Sequence, residues 1–387
     1  MSLCYRLLCL LLLAVSLNAC SLFDSEEESA PPAELVSFKA SMKVRKVWSA
    51  GIGDSTEYLR LALVPASDGA RVFAASHDGR VAAFEIDNGK RLWSVKTELP
   101  ISAGPAVRGE LLVMGTSNGE VIALSTEDGS QRWQVSVSSE VLAPPAVAPA
   151  LGLVMVRSVD GKLIALDSED GQEAWFVQQS MPRLSVRGTG APVIAGTTVL
   201  SSFDNGKVAA YALSDGTSLW EELINPASGR TEVERLSDLN ATLQVAGDDL
   251  YVTGYQATVA AIALESGQVS WARDISSGTP PATDLTTLYV TDASGELHAV
   301  ARSSGREIWR DSSLLNRDLT GPATYRNSVV VGDFEGYLHW FDTISGTLKA
   351  RVRAGSARIT SAPIVVNDTL LVMTDGGKLY AFRESGT

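Results

Sequence analysis

The chain has 387 residues, of which 45% are hydrophobic and 20% are charged, and it carries a formal net charge of −13. This acidic balance argues against a nucleic-acid-binding protein, because phosphate binding needs clustered lysine and arginine. The three cysteines, Cys4, Cys9 and Cys20, all lie at the N-terminus, which excludes a disulfide, a cysteine nucleophile and a cysteine-based zinc site in the body of the chain.

The first predicted element is an export signal. A single arginine, Arg6, precedes an apolar run at positions 7–17. This run is shorter than the roughly 20 residues that span a membrane, and it has the length of a signal-peptide core. Positions 17–20 read Leu-Asn-Ala-Cys and resemble the bacterial lipobox, which implies cleavage before Cys20 and lipidation of its thiol. Ser21 in the next position then implies sorting to the outer membrane; the alternative is an ordinary signal peptide with a chance cysteine.

An acidic, proline-containing segment follows the lipobox. It has three consecutive glutamates at 26–28 and two prolines at 31–32. Such a composition cannot bury a core and favours an extended, solvated chain. We therefore predict a signal peptide over 1–19, a lipidated flexible tether over 20–39 and one folded domain over 40–387.

The folded domain is a repeat. Most copies read Gly-x-Val/Leu-x-Ala followed by an apolar residue, then a second glycine turn, then tryptophan; the copies start at positions 79, 119, 161, 206, 257, 295, 336 and 377. A period near 40 residues made of short strands and turns is typical of a β-propeller, in which each blade is a four-stranded sheet. The apolar runs are short, rich in valine and bounded by Asn-Gly or Asp-Gly pairs, which favours strands over helices.

The number of repeats predicts how the ring closes. Eight copies start, but the last one ends with the chain and lacks its tryptophan strand. Trp48 lies before the first copy and supplies the missing strand, so residues near 44–50 are predicted to pair with the C-terminal blade. Closure removes the edge strands that promote aggregation. The predicted fold is an all-β, eight-bladed propeller with four antiparallel strands per blade, closed by the N-terminal strand.

The tryptophans occupy one position of the repeat, with a single exception. Packing between blades explains one tryptophan per repeat; stacking on a cofactor or a sugar is the alternative. The exception is Trp340, which stands where the other repeats have alanine, while Ala350 of the same repeat stands where tryptophan belongs. We hypothesise that Trp340 fills the volume that Ala350 leaves empty. The seven regular tryptophans are at positions 48, 93, 133, 175, 220, 271 and 309.

The repeat resembles the PQQ-enzyme repeat, whose tryptophan docks adjacent blades. This resemblance covers residues 44–387 and implies the propeller fold, but quinoprotein dehydrogenases and non-catalytic scaffolds share it. The dehydrogenases usually carry adjacent cysteines over the quinone, an acidic catalytic residue and calcium ligands. After cleavage this chain keeps only Cys20, and its sequence shows no nucleophile–base pair or phosphate loop. We therefore predict no catalytic residue, no metal and no cofactor.

A lipobox, a tether and eight such blades together resemble the BamB family of lipoproteins of the outer-membrane β-barrel assembly machine. Two further segments carry this resemblance: residues 181–188, after the third repeat tryptophan, and residues 232–240, in the longest repeat spacing. They are similar to the two family segments that contact the periplasmic POTRA domains of BamA. The family pattern has Leu-Ser-Leu-Arg in the first segment and an Asp-x-Asp pair in the second.

The resemblance implies that five residues of this chain bind a partner. Leu184, Val186 and Arg187 match the first segment, with Val186 in place of a leucine. Asp238 and Asn240 match the second, with Asn240 in place of the second aspartate. Leucine and valine would supply an apolar anchor, and arginine is frequent at interface hot spots. The alternative is that both segments only join blades, with Arg187 and Asp238 paired internally.

The predicted function is therefore a non-catalytic scaffold of the barrel-assembly machine, anchored by lipid to the periplasmic face of the outer membrane. The predicted partners are the BamA POTRA domains, with the chain a monomer within a hetero-oligomer. Unfolded β-barrel precursors are a further partner class, since they could add a strand to an exposed blade edge. The alternatives are a scaffold of another envelope complex and a quinone-dependent dehydrogenase-like enzyme.

Overall fold

The structure is a computed structural model of the chain. It describes residues 30–53, 61–181, 190–224, 243–255 and 258–385. Within these ranges the protein is built from strands and turns and contains no helix, so no described segment has the form of a membrane-spanning helix. The predicted signal peptide, Cys20 and the first part of the predicted tether lie outside the described residues.

The strands form eight blades, and the predicted eight-bladed propeller is confirmed. Two strands precede the repeats: β1 (Lys43–Gly51) and β2 (Ala62–Leu63). Blade 1 consists of β3 (Ala66–Ser67), β4 (Arg71–Ala75), β5 (Arg80–Glu85) and β6 (Arg91–Lys96), and blade 2 of β7 (Ile101–Arg108), β8 (Leu111–Thr116), β9 (Glu120–Ser125) and β10 (Gln131–Ser136). Blade 3 consists of β11 (Ala146–Ala148), β12 (Leu153–Arg157), β13 (Lys162–Asp167) and β14 (Glu173–Gln178), and blade 4 of β15 (Val193–Ala195), β16 (Thr198–Ser202), β17 (Lys207–Ala212) and β18 (Ser218–Leu223).

Blades 5 to 7 follow the same order, and blade 8 takes its fourth strand from the N-terminus. Blade 5 consists of β19 (Gln244–Ala246), β20 (Asp249–Val252), β21 (Val259–Ala263) and β22 (Val269–Arg273), and blade 6 of β23 (Ala282–Thr283), β24 (Thr287–Thr291), β25 (Leu297–Ala301) and β26 (Glu307–Asp311). Blade 7 consists of β27 (Ala323–Tyr325), β28 (Ser328–Gly332), β29 (Tyr337–Asp342) and β30 (Leu348–Arg353), and blade 8 of β31 (Ile364–Val366), β32 (Thr369–Thr374), β33 (Lys378–Ser385) and β1.

Burial within a blade follows strand position. The middle strands β8 and β9 are buried along almost their whole length, because neighbouring blades cover both faces of the sheet. The fourth strands, such as β14 and β18, instead alternate between exposed and half-buried residues. The first strands of neighbouring blades contact one another around the ring. The hydrophobic core therefore lies between blades, and the fourth strands form the outer wall.

The antiparallel order gives the ring two distinct faces. In each blade, the turn between the second and third strands and the connection from the fourth strand to the next blade lie at one end. We call this end the connector face. The turns between the first and second and between the third and fourth strands lie at the other end, which we call the turn face. The predicted tight turns lie at the connector face and contain glycines at positive φ, such as Gly79 at 86° and Gly119 at 79°.

The predicted closure by the N-terminal strand is confirmed. Strand β1 pairs antiparallel with β33, with Lys43 opposite Ser385 and Trp48 opposite Ala381. The sheet order of blade 8 is β1-β33-β32-β31. The two ends of the folded domain are thus hydrogen-bonded side by side, and the third and fourth strands of blade 8 are not joined by a turn.

Blade 2 differs from the prediction of four strands. Strand β2 adds to it in parallel, with Ala62 opposite Ala103 and Leu63 opposite Gly104. The Val64 amide also donates to the Gly104 carbonyl, at 3.3 Å. The repeat pattern does not predict this fifth strand, because β2 lies in the connection between β1 and β3, ahead of the first repeat. Leu63 is buried in the core of the first blades, which gives the connection an apolar anchor.

The regular tryptophans dock each blade onto the next one, in agreement with the packing interpretation. Trp48 Nε1 donates to the Ile86 carbonyl of blade 1 at 2.8 Å, and its ring covers Gly89, where a Cβ would lie 2.5 Å from the ring. The same bond recurs around the ring at Trp93–Thr126, Trp133–Ser168, Trp175–Leu213, Trp220–Leu264, Trp271–Arg302 and Trp309–Thr343.

Trp340 and Ala350 lie directly opposite each other on β29 and β30. Both are buried, and Trp340 contacts Phe382 of blade 8 edge-on, with ring centroids 6.4 Å apart. The indole therefore faces the same neighbouring blade that a tryptophan at position 350 would face. Unlike the regular tryptophans, Trp340 buries its Nε1 without a hydrogen-bond partner in the described part of the chain.

Candidate partner interface on blades 3 and 4

The five residues predicted to bind a partner lie outside the described residues. Leu184, Val186 and Arg187 fall between positions 181 and 190, and Asp238 and Asn240 fall between positions 224 and 243. Their side-chain contacts therefore stay a prediction. The structure does describe the residues at which each segment begins, and these define where the two segments leave the ring.

The first segment leaves at the end of β14 in blade 3. The Gln179 amide donates to the Gly161 carbonyl of the same blade at 3.1 Å. The next residue, Ser180, is held by blade 4, because its carbonyl accepts a hydrogen bond of 3.1 Å from Asn205 Nδ2. Asn205 lies in the connector-face turn between β16 and β17.

The second segment leaves at the end of β18 in blade 4, beside the same turn. The Ile224 amide donates to the Gly206 carbonyl at 3.0 Å. Gly206 is the neighbour of Asn205, so two adjacent residues of one turn hold the beginnings of both segments. Two segments that start 44 residues apart in the chain therefore leave the ring from one place on the connector face.

A buried ion pair fixes this turn to blade 3. Arg157 Nη2 lies 3.2 Å from Asp204 Oδ1, and both side chains are almost completely buried. Arg157 Nε also donates to the Ser202 carbonyl at 3.3 Å, and the guanidinium stacks 4.7 Å from the Phe203 ring centre. Burial lowers the pKa of Arg157, while the Asp204 carboxylate opposes that shift. The pair therefore joins the turn to blade 3, and removing either partner would leave an uncompensated buried charge.

Arg157 was not predicted from the sequence. Its signal is a lone cation at the end of β12, a strand that is otherwise apolar and buried. Its carboxylate partner lies in the next repeat, and no local spacing rule links the two positions.

A second polar network joins the outer wall of the same blades. Gln179 Nε2 donates to Glu221 Oε1 at 2.6 Å and to the Tyr211 hydroxyl at 3.0 Å. Lys207 Nζ lies 3.0 Å from Glu221 Oε2. Partial burial raises the pKa of Glu221, but the hydrogen bonds from Lys207 and Gln179 outweigh it and lower the pKa overall. Glu221 is therefore ionised at neutral pH and ties the end of blade 3 to blade 4.

Large apolar side chains are exposed on this wall. Phe176 on β14 is 49% exposed, and Leu219 and Leu223 on β18 are 53% and 50% exposed. Leu223 is the last strand residue before the second segment. Leu92 on β6 and Ile308 on β26 are also exposed, so such side chains are a common feature of the fourth strands.

One group of side chains has the composition of a metal site. Asp292, Glu296 and His298 offer ligand atoms within 4.8 Å of one another. The protein itself occupies these atoms: His298 Nε2 lies 3.1 Å from Asp292 Oδ2, while the Ser294 and Glu296 amides donate to Oδ1. Burial raises the pKa of Asp292, but hydrogen bonds from His298 and Ser294 outweigh it and lower the pKa to about 2.

Blade 7 repeats this arrangement. Asp333 and His339 lie 3.1 Å apart at the equivalent turn, and the Glu335 and Tyr337 amides donate to Asp333 Oδ1. The aspartate–histidine pair thus stabilises the connector-face turn in two successive blades. Hydrogen bonds within the protein account for the positions of these side chains.

Comparison with known proteins places the chain in a family. The model of the family described as "Outer membrane protein assembly factor BamB" matches residues 77–311. The chain is 42% identical to the Pseudomonas aeruginosa protein of that name, over 96% of this chain and 97% of the relative. It is 44% identical to the Alkalilimnicola ehrlichii protein of the same name, over 87% and 88% of the two chains. The chain belongs to the BamB family. The predicted family resemblance is thereby confirmed.

Solved structures agree with this membership. The crystal structure of BamB from Moraxella catarrhalis superposes with a TM-score of 0.80 at 26% identity, and it covers 88% of this chain and 100% of the other. A europium-containing methanol dehydrogenase superposes with a TM-score of 0.73 at 12% identity, over 88% of this chain and 93% of the other. At that identity the likeness shows only a shared propeller fold.

Proposed function

We propose that this BamB-family chain is an outer-membrane protein assembly factor that acts as a non-catalytic scaffold. In this proposal Cys20 carries the lipid anchor, the ring lies on the periplasmic face of the outer membrane, and the segments after β14 and β18 bind the POTRA domains of BamA. The names of the relatives support the assembly role. The finer assignment depends on the geometry of blades 3 and 4.

The observation that carries the assignment is the shared turn at Asn205 and Gly206. Residues 181–188 and 232–240 resemble two segments of one binding site, which requires that they lie close together. The structure holds the beginnings of both segments on adjacent residues of that turn, and the buried Arg157–Asp204 pair keeps the turn in place.

Truncating the predicted anchors is expected to separate the chain from BamA. Leu184→Ala and Arg187→Ala should each reduce co-purification of BamA from detergent-solubilised outer membranes by roughly 30-fold or more, since an interface hot spot contributes about 2 kcal/mol or more. Matched controls are Ile344→Ala, an exposed apolar residue on the turn face of blade 7, and Arg310→Ala on the outer strand of blade 6.

The melting temperature of every variant is measured alongside the pull-down. The proposed site is wrong if the two variants retain BamA. Loss of BamA together with a lowered melting temperature in Arg187→Ala, but not in its arginine control, would instead indicate the internal Arg187–Asp238 pair. Recovery of a different envelope complex, without BamA, would identify the chain as a scaffold of that complex.

The anchor is tested separately. Cys20→Ala, placed behind a signal peptide that is cleaved without lipidation, is expected to move the protein from the membrane to the soluble periplasmic fraction. Two or more acyl chains give stable membrane attachment, whereas a protein without acyl chains lacks this attachment. Ser21→Ala, which leaves the thiol in place, is the control. Membrane fractionation decides the outcome, and a Cys20→Ala protein that stays in the membrane fraction contradicts the proposed anchor.

A further inference from the structure

The N-terminal residues before β1 run along the outside of blade 7. We call residues 31–42 the strap. The Ala33 amide donates to the Leu315 carbonyl at 2.9 Å, next to the connection between blades 6 and 7 on the connector face. The Ser41 amide donates to the Lys349 carbonyl at 3.0 Å, near the turn-face end of β30. The strap therefore crosses the full height of the blade beside its outermost strand.

Two arginines of the ring hold the strap by its carbonyls. Arg317 Nη1 donates to the Ala33 carbonyl at 3.0 Å, and its Nε donates to Asp333 Oδ2 at 2.8 Å. Arg317 and Asp333 are both buried. The arginine thus connects a buried carboxylate of the ring to the beginning of the strap.

The second arginine is held by the same carboxylate through a histidine. Arg351 Nη1 donates to the Val36 carbonyl at 3.0 Å, and Arg351 Nε donates to His339 Nδ1 at 3.2 Å. Since Nδ1 accepts, the proton of the imidazole lies on Nε2, which faces Asp333 at 3.1 Å. The Arg351 guanidinium also stacks 5.3 Å from the Phe38 ring centre.

These contacts decide from which face the N-terminus leaves the ring. Strand β1 begins at Lys43 opposite Ser385, at the turn face. Without the strap, the preceding chain would leave from that face. The strap instead returns it along blade 7 to the connector face, a distance of roughly 20 Å for a strand of six residues. Leu35 packs onto the core between blades 6 and 7 and adds an apolar contact.

The charge around this exit is mixed. Arg317, which holds Ala33, is paired with Glu335, and Arg358 is paired with Asp318. Neither sign of charge dominates there, so the position of the strap, and not a cationic patch, distinguishes this end of blade 7.

We infer that the connector-face end of blade 7 is the membrane-facing part of the ring, held there by the strap. This inference rests on the proposed lipidation of Cys20. The ten residues that follow Cys20, up to Ala30, can span at most about 35 Å, so this end of the ring stays near the bilayer. The segments proposed to bind a partner leave the same face three blades away.

The test measures distance to the membrane at three positions. The full lipidated chain is reconstituted into vesicles of 70% phosphatidylethanolamine and 30% phosphatidylglycerol that contain an acceptor-labelled lipid. A donor dye is attached to one introduced cysteine at a time: Ser313→Cys beside the strap, Ile344→Cys on the turn face of blade 7, or Ser138→Cys on the connector face between blades 2 and 3. Energy transfer at position 313 is expected to be at least twice that at the other two positions.

Two variants then release the strap. Arg317→Ala with Arg351→Ala removes both clamps, and Ala33→Pro with Leu35→Asp weakens the strap while leaving the buried network of the ring intact. Each is expected to abolish the excess transfer at position 313 over position 344. Leu285→Asp, at an exposed residue on the turn face of blade 6, is the control and should leave the excess unchanged. Removing Arg317 leaves the buried Asp333 without this partner. If the first variant unfolds for that reason, the second variant still tests the strap.

Vesicle flotation separates the two ways in which the inference can fail. If the chain floats with the vesicles but the three positions give equal transfer, the membrane-facing surface is wrong and the lipid anchor stands. If the chain does not float, the anchor itself is wrong and the inference falls with it. If the strap variants keep the full excess at position 313, the clamp does not set the orientation.

Discussion

Deleting residues 40–50 is expected to lower the free energy of unfolding of the ring by about 5 kcal/mol or more, because the loss of the buried Trp48 side chain alone costs about 3–5 kcal/mol. The deletion also removes every residue pair between β1 and β33 except Gly51–Lys378. Strand β33 would then become an exposed edge, which promotes association between chains. The melting temperature and the oligomeric state measure the two effects.

Deletion of residues 21–29 is the matched control for that experiment. It removes a similar length of chain ahead of β1 and leaves the strand in place. An unchanged melting temperature after deletion of 40–50 would contradict closure of the ring by β1. A single Trp48→Ala variant, compared with the full deletion, separates the side-chain packing from the strand pairing.

Trp340→Ala is expected to destabilise the protein by about 3–5 kcal/mol, which is the cost of removing a large buried side chain and leaving a cavity. Trp340 is 1% exposed and fills the space between blade 7 and Phe382 of blade 8. Because its Nε1 has no hydrogen-bond partner in the described residues, its contribution comes from packing. Chemical denaturation followed by tryptophan fluorescence and circular dichroism provides the measurement.

The partner position supplies the second half of this test. The double variant Trp340→Ala with Ala350→Trp is expected to recover part of the lost stability, because the two residues lie opposite each other on one face of the sheet. Purely additive losses would contradict the idea that Trp340 fills the volume left by Ala350. Ile344→Ala, exposed on the same blade, is expected to change stability by less than about 0.5 kcal/mol.

The structure also shows why the tryptophan is absent from position 350. Each regular tryptophan covers the glycine in the turn between the third and fourth strands of the following blade, as Trp309 covers Gly346. In blade 8 these strands are β33 and β1, which come from opposite ends of the chain. No turn joins them, so a tryptophan at position 350 would have neither the glycine nor the turn carbonyl to dock on.

Much of the fold could be predicted because each blade repeats a local pattern. The glycine turns, the alternation of buried and exposed strands and the spacing of the tryptophans are properties of neighbouring residues. Trp48 revealed the closing strand because it matched the repeat without belonging to a complete copy. Strand β2 could not be predicted in this way, since a two-residue pairing with Gly104 leaves no periodic signal.

The candidate site was predicted only in part. Leu184, Val186, Arg187, Asp238 and Asn240 were assigned by resemblance, and these assignments stay predictions. That the two segments begin at one turn depends on how blades 3 and 4 pack. Ser180 and Ile224 meet the turn at Asn205 and Gly206 only once the ring has formed.

The class of fold, the number of blades and the closing strand follow from the sequence alone, because they depend on a pattern that recurs along the chain. The family resemblance also needed the lipobox and two segments that do not repeat. The tertiary structure decided the contacts that join distant repeats. These are the Arg157–Asp204 pair that holds the partner turn and the clamp from Arg317 and Arg351 that directs the N-terminus to the connector face. They depend on side chains from different blades, or from the two ends of the chain, that become neighbours only when the ring closes.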